Sequence, residues 1–264
     1  MALFRAEDLT APEFSRLVTA RTVGVLPIAA IEPHGPHLPL STDCDIAVGH
    51  LTALSGCLVG ETDVVVLPLQ QIGLSLEHDG FGGVFSHAPE VLLRVWTDVA
   101  RTFYAAGGRR LIIVSSHGGN SEVAGLLATA LRTDPGMLAI TAGWLRFGQP
   151  EGLFAPAELA YGIHGGDVET SLMLHYWPLA VRQEELANFT SAAAGWDASA
   201  KALRAHGRNR PGWLSRDLNP AGVVGNALAA TAAKGALSAE HALEGFAALI
   251  DDVAGFDLGQ LEGV

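Results

Sequence analysis

The chain has 264 residues, enough for one sizeable domain, and 49% of them are apolar against 17% charged, which excludes disorder as a general state. A net charge of −12 with only 16 Lys and Arg argues against a nucleic-acid partner, and the short basic stretch around Arg204, Arg208 and Arg210 reads as a solvated face. Two cysteines, Cys44 and Cys57, are too few for a disulfide framework; with no basic-then-apolar leader and no apolar run of about 18–20 residues, no membrane partner is expected and the cytoplasm is the expected compartment.

Strand and helix signals then alternate. Thr10-Ala11-Pro12-Glu13 reads as an N-cap and a Pro-started helix. Residues 22–31 read as a buried strand, with Pro27 arguing against a central place in a sheet. A loop from Glu32 to Asp43 follows, then a helix to about Ser55. Asp63 to Pro68 is a second β-branched run, and Gly73 to Ala88 a long Gly- and His-containing loop of a length that is often functional. From Pro89, the positions Val91, Leu92, Val95, Trp96, Val99 and Phe103 keep helical spacing until Gly107-Gly108. Arg110 to Ser115 reads as a strand, Asn120 to Arg132 as a helix and Met137 to Ala142 as a strand. Gly207 to Pro220 reads as an excursion before two final helices. Ser238 is expected to N-cap the last, with Leu243, Phe246 and Ile250 on one face. Such alternation predicts a single α/β domain over 1–264, a mostly parallel sheet with helices on both faces.

Three clusters could carry chemistry: Glu32-Pro33-His34-Gly35-Pro36-His37 with Asp43 behind it, Ser116-His117-Gly118-Gly119-Asn120, and His164-Gly165-Gly166-Asp167-Val168-Glu169. The first two follow predicted strands, where open parallel sheets collect ligands. Carboxylates with imidazoles suit Zn²⁺, Mn²⁺ or Fe²⁺. Glu32 and His34, two apart in an extended segment, can point the same way. Structural roles compete for the same residues. Asp43 and Asn120 are also N-cap candidates, and Asp167 and Glu169 suit a helix N-terminus. Residue types alone leave both readings open.

The string EPHGPHLPLSTD resembles the signature loop of the creatininase family, E-Q-H-G-x-H-L-P-L-x-T-D; SSHGGN resembles its N-G-H-G-G-N, and HGGDVETSLML its H-G-G/A-x-x-E-T-S helix start. Order and spacing agree, and weaker similarity runs from about residue 8 to 180. The resemblance implies a three-layer α/β/α fold, a homohexamer and two divalent metal ions per subunit. Glu32, Asp43 and His117 match one ion's ligands; His34 and Asp43 match the other's, so Asp43 bridges. Creatininase takes a further ligand from a Glu at the position that is Gly119 here, and Glu169 is the expected substitute. His164 matches the proton shuttle. This chain departs at Pro33, at Ser115 and at Phe81-Gly82-Gly83-Val84, which stands for the family's F-P-G-T after Ser75-Leu76-Glu77-His78.

The expected activity is metal-dependent hydrolysis of a C–N bond in a small-molecule amide, lactam or formamide. Metal-activated water attacks, His164 moves the proton, and Gly118, Gly119 and Asn120 offer N–H donors to the oxyanion at the start of their helix. Trp144 and Tyr161 are the expected aromatic walls. Gly118-Gly119 replaces a Tyr-Glu pair of true creatininase, so creatinine is not the expected substrate. Two alternatives stand beside this: cleavage of the C-terminal residues of a peptide, resembling the creatininase-like peptidase of mycofactocin maturation, and a non-catalytic phosphate- or nucleotide-binding module at His117 to Asn120. The second lacks a Lys in that turn and any Walker pattern.

Overall fold

Runs such as VGVLPI and RLIIVS leave no polar face for water, the pattern of a parallel sheet covered on both sides. A computed structural model describes residues 2–207 and 209–261, so Arg208 of the basic stretch lies outside the described residues. Strands β1 (Leu3–Arg5), β2 (Val23–Ile28), β3 (Val64–Val66), β4 (Arg110–Ser115) and β5 (Leu138–Gly143) form one sheet in the order β1-β3-β2-β4-β5. Every pairing in it is parallel. Pro27 sits in the central strand after all. Its carbonyl accepts from Gln70 N, so the missing N–H lies on the same side, beyond the last residue of β3 paired with β2.

Side chains alternate across the sheet with period two. Leu26, Ile28, Leu111 and Ile113 meet Trp96, Phe103 and Leu127 of helices α3 (Pro89–Ala105) and α4 (Ser121–Thr133), with Phe14 of α1 (Ala11–Leu17) at the edge. Val23, Val25, Ile112 and Val114 meet Leu51 of α2 (Thr42–Ala53) and Phe246 and Ile250 of α9 (Ala232–Gly255) on the other face. This is the three-layer α/β/α arrangement expected. Between β5 and α9 the chain adds α5 (Pro156–Tyr161), α6 (Asp167–Tyr176), α7 (Ala193–Ser199) and α8 (Ser215–Leu218), plus an antiparallel pair of β6 (Asn188–Phe189) and β7 (Gly225–Asn226).

The expectation of two final helices is corrected. One helix runs from Ala232 to Gly255, and its cap is Thr231, whose Oγ1 accepts the Lys234 N–H at 3.2 Å. Ser238 is buried inside that helix. The Ala-rich run contains no residue that forces a break, and Gly235 is tolerated because it lets α9 touch α6.

A Cβ on Gly235 would lie 1.9 Å from the Ser171 carbonyl oxygen. Gly→Ala within a helix ordinarily stabilises by about 1 kcal/mol. Here the backbone of α6 stands in the way, and overpacking costs about 1–3 kcal/mol. Gly235→Ala is therefore expected to lower the urea midpoint and Tm, and a rise in either refutes this reading of the α6–α9 contact.

Candidate metal centre

The three clusters meet beyond the carboxyl ends of the neighbouring strands β2 and β4. The loop after β2 closes on itself, Glu32 N–H donating to Leu40 O at 3.0 Å, and this returns the chain to start α2 with Asp43 in its first turn. His37 fastens that loop to the third cluster by donating from Nε2 to Gly165 O at 2.9 Å. Gly35 and Gly165 both hold positive φ, +70° and +67°, and both press on Val223 so closely that a Cβ would come within 2.7 Å.

Three imidazoles surround the buried carboxylates, and a backbone carbonyl fixes each ring. His34 Nδ1 faces Glu32 O at 3.1 Å, His117 Nε2 faces Leu74 O at 2.8 Å and His164 Nε2 faces Pro33 O at 2.8 Å. A carbonyl oxygen only accepts, so each of those nitrogens carries the hydrogen. The opposite nitrogens then point lone pairs at carboxylates. His117 Nδ1 lies 3.1 Å from Glu32 Oε1 and 3.3 Å from Asp43 Oδ2. His34 Nε2 lies 3.6 Å from Asp43 Oδ1 and 3.8 Å from Glu169 Oε2. A lone pair facing an anion is stable only with a cation between them, either a proton or a metal ion. Ligating histidines are oriented by such carbonyls. Both Glu32 oxygens are fully buried without a hydrogen bond. The donor atoms of His34, Asp43 and Glu169 lie within 4.8 Å of one another, so the residues fit a bound divalent ion.

Titration follows the same geometry. Burial works to raise the Glu32 and Asp43 carboxyls, yet His117 beside Glu32 and His34 beside Asp43 hold both below the usual range. Burial pushes Glu169 up to about 7, against the pull of His34. Burial would lower His34, but Asp43, Glu169 and Glu32 lift it to about 9; Glu32 and Asp43 likewise lift His117 well above its ordinary value. Burial, with His34 and His78 adding, pushes His164 down to about 3. A cavity of about 450 Å³ opens onto these groups, with Asp43, His117, His164 and Glu169 on its floor and His206, Arg210 and Trp213 on its wall.

The Creatininase family profile, described as creatinine amidohydrolase, matches residues 7–250. The chain belongs to the creatininase family. It is 31% identical over 217 residues to the mycofactocin precursor peptide peptidase of Mycolicibacterium smegmatis, covering 80% of this chain and 77% of that one. It is 30% identical over 258 residues to the same-named protein of Mycobacterium tuberculosis, covering 93% and 88%. Creatinine amidohydrolase of Pseudomonas putida is 27% identical over 190 residues, 65% of this chain and 71% of that one. A crystal structure of a Bacteroides fragilis protein assigned as a creatinine amidohydrolase superposes with a TM-score of 0.75 at 27% identity, over 96% and 97% of the chains. Creatininase in its manganese form has the same fold, with a TM-score of 0.71 at 22% identity over 94% and 97%.

Within this creatininase-family centre, Glu32, His34, Asp43, His117, His164 and Glu169 are brought together. Gly118 lines the cavity. Other expectations are corrected. Trp144 is buried in the core between His50 and Phe246, because the chain leaving β5 turns it toward α9 rather than toward the cavity. Tyr161 packs on the cluster of Ala193, Ala205, Leu218 and Val224, and Ile163 and Trp213 stand on the cavity wall instead. The Asn120 side chain is engaged in the fold, Oδ1 accepting from Leu74 N at 2.9 Å and Nδ2 donating to Ala29 O at 3.0 Å, so of this residue only the backbone N–H remains as the expected oxyanion donor. Ser115 shapes the same turn, bonding both the N–H and the carbonyl of His117.

Sequence reasoning passed over His78 and Glu158. His78 Nε2 comes within 3.4 Å of Glu32 Oε1, and its ring lies 4.4 Å from that of His164. The match of Ser75-Leu76-Glu77-His78 to a family motif was the available signal. Glu158 sits under the third cluster, its carboxylate accepting from Asp167 N at 2.6 Å and Asn226 N at 2.8 Å. Gly162, Gly166 and Gly225 crowd it so closely that any Cβ there would collide with it.

Glu158→Ala leaves two backbone donors without a partner, a loss of about 2–4 kcal/mol. Reduced denaturant stability is expected together with displacement of His164 and Glu169; an unchanged midpoint refutes the role. A second prediction concerns protons. At pH 7 the metal-free centre holds a proton on His34, and this stabilises the fold fully below about pH 6.5 and ceases to do so as pH rises through about 9. Divalent ions bound beside His34 and beside His117 would displace that proton and the one on His117. Calorimetry at pH 7 in buffers of different ionisation enthalpy is therefore expected to show about two to three protons released per chain, the part above two coming from Glu169, with affinity rising toward pH 9. Heats that do not depend on the buffer refute this.

Proposed function

We propose that this chain is a two-metal amidohydrolase that cleaves a C–N bond near the end of a peptide. The observation that carries the hydrolase reading is the pair of donor sets sharing Asp43, with imidazole lone pairs aimed at buried carboxylates. Glu32, Asp43 and His117 would hold one ion, and His34, Asp43 and Glu169 the other. The mixed nitrogen and oxygen donors suit Zn²⁺, Mn²⁺ or Fe²⁺. Divalent ions bound there polarise the amide carbonyl and bring the pKa of water from about 16 to about 7.

The chain's own groups do the rest. His164 keeps its Nε2 hydrogen on Pro33 O, which leaves Nδ1 free toward the centre, 3.8 Å from Glu32 Oε1. From there it takes up a proton and hands it to the leaving nitrogen. Gly118 leaves open space where a side chain would start, so substrate can approach its backbone N–H. The carboxylates on the cavity floor repel a phosphate, which argues against the phosphate-binding alternative.

For the substrate, the peptide reading draws on the relatives at 30–32% identity named mycofactocin precursor peptide peptidase, and on the breadth of the cavity. A small cyclic amide is the second reading, favoured by the likeness to creatinine amidohydrolase at 27%.

The metal-reconstituted chain is expected to shorten peptides from the C-terminal end, with kcat/KM for creatinine below about 10⁴ M⁻¹s⁻¹. Rapid creatinine turnover with intact peptides reverses the assignment. Asp43→Ala is expected to lose both ions. His164→Ala is expected to keep them, while turnover falls by about 10²–10⁴-fold. Metal analysis beside kinetics separates these outcomes, and parallel loss of metal in His164→Ala makes it a ligand.

A further inference from the structure

Glu77 faces the same cavity as the candidate ligands without belonging to either donor set described above. It stands on the short turn Leu76–His78. The preceding residue but two, Leu74, ties this loop to the His117 turn: its carbonyl accepts from His117 Nε2 at 2.8 Å and its N–H donates to Asn120 Oδ1 at 2.9 Å. Held this way, Glu77 brings Oε1 to 3.5 Å from His117 Nε2, the hydrogen-bearing edge of the ring whose Nδ1 faces Glu32 and Asp43. Gly119 makes the approach possible. A Cβ there would lie 2.5 Å from Glu77 Oε1 and 2.4 Å from Leu74 O, and the second of these is backbone that cannot swing away.

We propose that Glu77 is a protein ligand, with Glu32 and His117, of the ion in that half of the centre. This rests on the two-metal reading and extends it. Donor atoms of Glu32, Glu77 and His117 lie within 4.8 Å of one another, a span that bonds of about 2.0–2.2 Å can bridge. The group is more than an acidic patch, because both oxygens of Glu32 are fully buried and unbonded within it.

Glu77→Gln keeps the size of the side chain and removes its charge. The stripped wild-type chain and this variant are titrated with Zn²⁺ and with Mn²⁺ by calorimetry, and bound metal is counted after gel filtration. The wild type is expected to hold two ions. The variant is expected to hold one with wild-type affinity while the other weakens by more than about 100-fold, beyond what a residue outside the coordination shell contributes. Glu90→Gln, at the exposed start of α3, is expected to match the wild type. Circular dichroism and Tm of the metal-free variant check its folding. If it does not fold, Glu77→Asp, which keeps the charge on a shorter arm, is expected to weaken the same ion less. Two ions at wild-type affinity in Glu77→Gln, or a weakening of about 100-fold or less, overturns the ligand role, even if turnover falls. A wild-type chain that binds no divalent ion overturns the two-metal reading as well, so the two failures are distinguishable.

Discussion

Everything around the centre answers one constraint: Glu32 and Asp43 are carboxylates removed from water, and each faces an imidazole lone pair. Burying an ionised carboxylate costs several kcal/mol unless a positive charge and hydrogen bonds compensate. Acidic side chains could have been matched by Lys or Arg, but the described cluster uses histidines, whose charge is conditional. Protons satisfy the centre in the metal-free state, and they must leave for a metal ion to enter. The arrangement therefore favours exchange of one cation for another over permanent neutralisation.

That arrangement is set by backbone rather than by side chains. The carbonyls of Glu32, Pro33 and Leu74 orient His34, His164 and His117 respectively. A carbonyl has few ways to move once its segment is pinned, so ring orientation inherits the stiffness of the sheet. Glu32 and Pro33 follow β2, His117 follows β4, and those strands pair directly from Val23↔Arg110 to Ile28↔Ser115. Loops would otherwise be poor supports for chemistry that tolerates less than an ångström of misplacement. Here the loops are cross-tied, through His37 to Gly165 and through Asn120 to both Ala29 and Leu74. The Asn120 side chain serves as one of these ties.

What was legible in the sequence divides along the same line. β-branched runs and 3.6-residue spacing located β2, β3, β4, β5, α3 and α4, because each of those elements covers or forms the sheet. Glu32, His34 and Asp43 lie within twelve residues on one loop, so local pattern and family resemblance reached them together. Glu77 and His78 match a family motif, but nothing local says that their loop folds under the His117 turn. The aromatic type of Trp144 suits a cavity wall, but type does not tell which side of the sheet a side chain takes at a strand end. Ser238 is a good capping residue by type, yet Thr231 precedes the same helix and has the free backbone donors to bond.

The cavity itself has two origins, and this separates chemistry from selectivity. Its floor comes from residues up to Glu169, while His206, Arg210 and Trp213 come from the excursion between α7 and α8. Arg210 reaches across to Glu122 at the start of α4, an exposed ion pair that contributes little to stability. Such a wall can change residue by residue without disturbing the buried carboxylates. The freedom ends at Val223 and Val224. Val223 presses on Gly35 and Gly165, and Val224 N–H donates to His164 O at 2.8 Å, so here the excursion returns to brace the centre directly. Within the excursion, substitutions that reshape the cavity wall without touching the centre are therefore those in the stretch before these two valines, whereas changes at the valines act on His164 itself.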